Sequence, residues 1–264
     1  MTVTVFTPTY NRGYIISQLY NSLKSQTSKN FEWIIIDDGS TDNTKEIINQ
    51  FILENIINIK YIYQENSGKQ RAINNGVKLA KGELFFIVDS DDFIEDDAIS
   101  KIEKKWMSIH NKEGYAGLCY RKKHITNNKI IGQPYPEQEF DSTSLDLAYK
   151  YNINVDKAEI FKTDILGKYQ FPEIEGEKFV PEAYIWFKIA NDDYKLRCCD
   201  DGIYCCEYLP DGLSSNFIHN LRKNPTGFLL FYKNLLSYPQ PSIMVKCKAL
   251  IRLLQCYYYK IIKK

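Results

Sequence analysis

The chain has 264 residues, 44% of them apolar and 25% charged, with a net charge of +1 at pH 7. That is the make-up of a soluble globule, long enough for one large α/β domain and a small C-terminal addition. No nucleic-acid partner is expected.

The charge is unevenly placed. Nine Lys and Arg and no acid follow Asp211, so with a total of +1 the first 211 residues carry about −8. Such a split points to a tail that meets an anionic surface. The chain opens on a strand-like stretch, so no signal peptide is expected, and no apolar run reaches transmembrane length. Seven cysteines, an odd number in a chain that is not small, fit a reduced, cytosolic protein. Cys198-Cys199 and Cys205-Cys206 point to opposite faces of a strand and read as buried filler, not as a metal site.

Taken in order, Thr2 to Phe6 is predicted as a strand, with Thr7-Pro8-Thr9-Tyr10-Asn11-Arg12-Gly13 as its exit loop. Ile15, Ile16, Leu19, Tyr20 and Leu23 keep helical spacing. Phe31 to Ile36 is a second strand, released into Asp37-Asp38-Gly39-Ser40. Thr41 to Thr44 supply cap residues for a helix carrying Ile47, Ile48, Phe51 and Ile52. Ile59 to Tyr63 is a third strand, followed by a turn over Glu65 to Lys69. A helix over Arg71 to Lys81 ends at Gly82. The apolar run Leu84 to Val88 then stops abruptly at Asp89-Ser90-Asp91-Asp92. Four strands alternating with three helices imply a parallel sheet, and such sheets hold ligands beyond the carboxyl ends of their strands. Acids this crowded are best accommodated around a hard divalent cation; a solvated acidic turn is the alternative. No GxGxxG follows the first strand and no GxxxxGK[ST] occurs, which weakens dinucleotide and P-loop readings.

Further on, Tyr115 to Tyr120 and Val155 to Phe161 have strand character, Asn127-Asn128 marks a hairpin turn, and Asp141 to Tyr151 has helical character. Tyr135 and Tyr149 are open to two readings, sugar stacking or packing. From Ile243 onward apolar residues alternate with Lys and Arg as in a basic amphipathic helix. That helix suits an anionic membrane surface, or alternatively docks on the main domain with its basic residues outward.

The ordered set of TYNR after the first strand, DDGSTDNT after the second, NSGK after the third and DSDD after the fourth resembles the family 2 glycosyltransferases. The resemblance implies a GT-A fold: an α/β, Rossmann-like, mostly parallel central sheet flanked by helices, with a C-terminal helical extension. It implies a catalytic domain over 1–218, split near 110 into a nucleotide-sugar half and an acceptor half, with 219–264 as the extension. It further implies an inverting enzyme that moves a sugar from a nucleotide donor to a hydroxyl of a glycan or lipid-linked acceptor in bacterial surface-polysaccharide synthesis. The enzyme would be cytoplasmic and peripheral on the inner face of the membrane.

By the same resemblance, Pro8 and Tyr10 cradle the donor base. Asp38, or else Asp37, accepts the uracil imide N–H, which makes a UDP-sugar the expected donor. Asn66, Lys69 and Arg71 lie where a diphosphate is met, and some relatives carry Arg at the position of Ile73. Asn74 fits the family's helix asparagine. Asp89-Ser90-Asp91 matches the DxD motif: Asp91 binds Mn²⁺ or Mg²⁺, and Asp89 reaches the ribose or the metal, with Ser90 beside the nucleotide. Asp92 either stands behind the metal or starts the next helix. His219 is a further candidate for the metal shell, and Asp211 to Asn216 resembles a loop that closes over the donor. The general base is expected four residues before a Trp, which selects Glu182 ahead of Trp186, with Glu177 as the rival. Two other readings are a nucleotidyltransferase, whose glycine- and lysine-rich loop is missing after the first strand, and a non-catalytic nucleotide-sugar-binding protein of the same fold.

Overall fold

A computed structural model describes residues 2–207 and 217–262. Its first 90 residues alternate strand and helix: β1 (Val3–Thr9), α1 (Ser17–Lys24), β2 (Phe31–Asp37), α2 (Thr44–Glu54), β3 (Ile59–Tyr63), α3 (Lys69–Leu79) and β4 (Leu84–Ile87). β1 and β2 are buried along their whole lengths, as strands covered on both faces must be. β1 lies between β2 and β4 and runs parallel to both, and β2 runs parallel to β3. The chain therefore moves outward from β1 through β2 to β3 and then returns to the other side of β1 as β4. The C-terminal ends of β1 and β4 flank the point where the winding reverses, the crevice in which such sheets bind ligands.

Past β4 the elements are β5 (Phe93–Ile94), α4 (Ala98–Met107), β6 (Tyr115–His124), β7 (Glu139–Ser142), α5 (Ser144–Tyr149), β8 (Lys157–Lys162), α6 (Thr163–Leu166), α7 (Ala183–Asn191) and β9 (Lys195–Cys206). Here the sheet becomes mixed: β8 is antiparallel to β4 and β6, whereas β6 and β9 are parallel. The full order is β3-β2-β1-β4-β8-β6-β9-β5, with β7 also paired to β9. Asn128 takes a left-handed conformation at the expected hairpin turn, and Lys123 bridges to Ile130 across it. The helix expected over 141–151 is shorter, because Glu139–Ser142 pairs with β9 and Thr143 caps α5 by accepting the Asp146 N–H.

Two apolar layers enclose the sheet. One joins Phe6, Ile34 and Phe85 to α3, α7 and the C-terminal helices; the other joins Val5, Trp33 and Phe86 to α1, α2 and α4. Tyr135 belongs to the first layer, and Tyr149 packs against it 5.7 Å from the Phe187 ring, so both tyrosines serve packing. All seven cysteines are unpaired; Cys198, Cys199, Cys205 and Cys206 are buried on β9, as the filler reading requires.

The C-terminal region folds as α8 (Phe217–Lys223), α9 (Pro225–Ser237) and α10 (Ile243–Ile262). The division expected between 218 and 219 falls inside α8. Phe228, Tyr232 and Leu235 of α9 enter the first apolar layer, and Ala249 and Cys256 of α10 are buried against it. The opposite side of α10 leaves Ile243, Leu250, Leu254, Tyr257 and Ile261 from 48% to 76% exposed at helical spacing.

Candidate active site

The loops leaving β1 and β2 are knitted together by their own polar side chains. Asn11 donates its backbone N–H to Ser40 Oγ (2.8 Å), and its Oδ1 accepts from the Thr41 N–H (2.8 Å). Arg12 and Gly13 donate theirs to Thr44 Oγ1 (3.0 Å) and Asp42 Oδ2 (3.1 Å). This is why the TYNR and DDGSTDNT segments occur together: each supplies the other's missing partners. Pro8 is buried opposite Ile36, while Tyr10 stands 48% exposed at the lip. Thr9 Oγ1, beside it, is a buried hydroxyl oxygen with no hydrogen bond among the described residues.

Asp37 and Asp38 are both buried but do different work. Asp37 accepts from the Ser40 N–H and the Tyr61 hydroxyl, each at 2.8 Å. Asp38 accepts from Gln64 Nε2 (2.7 Å) and the N–H groups of Ser67 and Gly68 (both 2.8 Å), and so shapes the turn that launches α3. Gly68 sits at φ +101°, where an added Cβ would lie 2.0 Å from the Lys178 carbonyl oxygen. α3 consequently starts at Lys69, two residues earlier than expected.

From that first helical position Lys69 reaches across the crevice. Its Nζ lies 2.7 Å from Asp89 Oδ1, at the exit of β4, and 2.8 Å from Glu182 Oε1, at the start of α7. Burial disfavours the ammonium, but the two carboxylates outweigh it and hold Lys69 well above the ordinary lysine range. Burial likewise works against ionised Asp89, whose carboxyl is nevertheless held low by Lys69 and then Lys122. Asp91 moves the other way. Burial and the Asp89 charge push its carboxyl up, and its ion pair with Arg12 Nη2 is long at 3.8 Å. Asp92 is pushed up to about 7, chiefly by burial, while accepting from the Tyr204 hydroxyl at 2.6 Å. Tyr204 in turn accepts the Asp89 N–H (3.0 Å), Gln18 Nε2 donates to the Asp91 carbonyl (2.5 Å), and the Lys122 ammonium lies 3.9 Å from the centre of the Tyr204 ring.

Glu182 occupies the position just before α7, and Trp186 one turn on stacks on Phe161 at 4.5 Å, which locks the helix against β8. Glu177 is not aimed at this cleft. It is buried, and its two oxygens accept the N–H groups of Thr226 and Gly227, both at 2.9 Å, at the start of α9. Arg71 is also spent inside the chain: it donates to the carbonyls of Ser67 (2.7 Å), Ile174 (2.8 Å) and Glu177 (3.0 Å). These bonds fasten the start of α3 to the 174–177 segment. Asn74 does similar work, exchanging two 2.9 Å bonds with the backbone of Phe171. Asn66 Oδ1 accepts from Lys178 Nζ (2.6 Å). Ser90 is buried between the two motif acids.

The 3-2-1-4 winding puts Asp89 and Asp91 at its reversal, and Lys69 joins Asp89 to Glu182 at the start of α7. A model described as "Glycosyl transferase family 2" matches residues 4–169.

The chain belongs to glycosyl transferase family 2.

Among curated members, it is 34% identical over 160 residues to glycosyltransferase GlyA of Streptococcus pneumoniae, covering 54% of this chain and 23% of that one. It is 31% identical over 220 residues to the poly(ribitol-phosphate) beta-glucosyltransferase of Bacillus spizizenii, covering 76% of this chain and 33% of that one. This chain thus spans less than half the length of those two relatives. Among solved structures, Staphylococcus aureus TarS 1-349 in complex with UDP-GlcNAc superposes with a TM-score of 0.74 at 23% identity, over 98% of this chain and 73% of that one. The fold is the GT-A fold of those structures, as the motif order implied.

Within this family 2 frame, the structure brings together Asp89, Asp91, Lys69 and Glu182 at one cleft, with Asn66 on the turn before Lys69 and Asp38, at the exit of β2, bonded to that turn. His219 is the remaining candidate for the metal shell. It lies exposed on α8, and no group of three or more His, Cys, Asp or Glu fit to hold a metal forms among the described residues. The loop expected to close over the donor, Asp211 to Asn216, lies outside the described residues. Four side chains around the site were not singled out from sequence: Thr9, Arg12, Lys122 and Tyr204. Arg12 stood inside the quoted TYNR motif, and a positive charge so close to the DxD acids in space was the missed signal. Lys122 and Tyr204 carry no local signature.

Proposed function

We propose that the protein is an inverting glycosyltransferase that moves a sugar from a UDP-activated donor to a hydroxyl of a glycan or lipid-linked acceptor, as in bacterial surface-polysaccharide synthesis. The observation that carries this reading is the approach of Asp89 and Glu182 from opposite walls of the crevice, both within 2.8 Å of one ammonium. A donor carboxylate site and a candidate base on opposite walls is the arrangement a one-step in-line displacement needs. In that displacement Glu182 takes the proton of the acceptor hydroxyl, the acceptor oxygen bonds to the anomeric carbon, and the sugar–phosphate bond breaks to release UDP.

Pro8 and Tyr10 are assigned to the base of the nucleotide and Asp38 to its imide. Asn66, Lys69 and Ser90 are placed around the ribose and diphosphate. Asp89 and Asp91 fit a hard divalent cation: they offer oxygen donors, and Asp91 carries a crowded, weakly compensated charge that such an ion relieves. Mn²⁺ or Mg²⁺ held there supplies Lewis-acid stabilisation of the departing diphosphate. A manganese complex is known for a mannosyltransferase of Pyrobaculum calidifontis, a structural neighbour at 16% identity with a TM-score of 0.61.

The extension is assigned to the cytoplasmic membrane surface. No helix among the described residues is long and apolar enough to cross a membrane. α10 instead combines a docked side, an exposed apolar stripe and only basic charges, which suits lying in an anionic interface.

The test is a panel of nucleotide sugars assayed for nucleoside diphosphate release with Mn²⁺, run on the wild type and on Glu182→Gln. UDP-sugars alone should be consumed by the wild type, and the variant should lose transfer by about 10²-fold or more, as removal of a general base does. Retained transfer in Glu182→Gln would remove Glu182 from the reaction.

A further inference from the structure

Lys69 touches both walls of the cleft, meeting Asp89 on one and Glu182 on the other. Its backbone is fixed relative to Glu182. Gly68 presses on the Lys178 carbonyl, and Arg71, one half-turn further along α3, donates to the carbonyls of Ile174 and Glu177 on the segment leading to α7. The Lys69 ammonium ends a long, flexible stem and is held at its tip by the two carboxylates alone among its described ion pairs, so it can exchange partners without moving the backbone. An ammonium has three N–H donors, and here two of them point at carboxylates. A diphosphate arriving beside Asp89 competes for the same ammonium with a higher charge.

We infer that Lys69 is a positioning residue that couples the base to the donor. Its ammonium pairs Glu182 to Asp89; a diphosphate that binds beside Asp89 draws the ammonium away and releases Glu182 toward the acceptor hydroxyl. This rests on the reading of Glu182 and of a UDP-type donor given above. The coupling is thermodynamic and reciprocal: whatever weakens the Lys69–Glu182 pair must strengthen diphosphate binding through Lys69 by the same factor.

The experiment is a double-mutant cycle read by calorimetric titration of UDP in Mn²⁺ buffer, with the full chain as wild type, Glu182→Gln, Lys69→Met and the double variant. Glu182→Gln should bind UDP about threefold or more tightly than the wild type, because the ammonium is no longer shared. In the Lys69→Met background the same change should have no effect, which separates the coupling from simple repulsion between Glu182 and UDP. Lys69→Arg, which keeps the charge, should retain the gain, and Lys69→Gln substitutes for Lys69→Met if the latter fails to fold. Unchanged or weaker UDP binding in Glu182→Gln, or an equal gain without Lys69, overturns the inference and leaves the donor assignment intact. A wild type that does not bind UDP overturns both.

Discussion

Replacing Glu177 by Gln separates a strut from a base more sharply than any change to Glu182. Both carboxylate oxygens of Glu177 accept backbone N–H groups at 2.9 Å from the first turn of α9, and the residue is only 7% exposed. Gln keeps the shape but offers one acceptor in place of two and turns an NH₂ toward the second N–H. The loss is one charge-assisted hydrogen bond, about 1.5–3 kcal/mol, plus the interaction of the charge with the helix terminus, about 0.3–1 kcal/mol. Summed, a destabilisation of about 2–4 kcal/mol is expected, a fall in Tm of roughly 4–16 °C for a domain of this size. Calorimetric or circular-dichroism melts measure it, and UDP release at a temperature well below both transitions measures turnover. The expected pattern is a clear loss of stability with a turnover loss far smaller than that of Glu182→Gln. An unchanged Tm together with a collapse of turnover would refute the reasoning and make Glu177 the base.

Two other substitutions probe the frame around the site. Gly68→Ala forces a side chain into a left-handed position and onto the Lys178 carbonyl, so stability should fall by more than the ~1–2 kcal/mol of the backbone term alone, and UDP affinity should fall with it; an unaffected Kd by titration would uncouple this turn from the donor. Leu254→Glu with Ile261→Glu places acids on the exposed stripe of α10, away from its docked side. Sedimentation with anionic vesicles should lose at least a tenfold share of binding, since each acid removes apolar insertion and adds repulsion, while UDP binding stays at the wild-type level. Equal vesicle binding would return the stripe to a protein-facing role.

The parallel half of the fold was legible because its signals are local. Buried strands of β1, β2 and β4 read as short apolar runs, and helices α1 to α3 as 3.6-residue periods between turn residues. The start of α3 was misplaced by two residues because Gly68 resembles a turn glycine, whereas its positive φ in contact with Lys178 makes it the residue before the helix. β7 was missed for a different reason. Glu-Phe-Asp-Ser has no alternation of its own and is held in place by pairing with β9, a non-local partner that periodicity cannot see.

The site divides along the same line. Aspartates clustered after a strand announce themselves, but the charges that compensate them arrive from far away in sequence: Lys69 joins acids at 89 and 182, and Tyr204 answers Asp92. A lone Lys or Arg carries no mark of its partner, so Lys69 and Arg71 were indistinguishable as cations two residues apart. On α3 they point differently, and the distinction is physical. Lys69, at the first position of the helix, faces the open cleft, where its ammonium meets two side-chain carboxylates. Arg71 faces the 174–178 segment, where backbone carbonyls satisfy a planar guanidinium from several directions. A flexible ammonium placed between two acids can exchange partners when a diphosphate arrives. A guanidinium anchored on three carbonyls cannot do so without releasing the segment that carries Glu177 and leads to Glu182, so in this cleft the lysine is suited to respond and the arginine to hold.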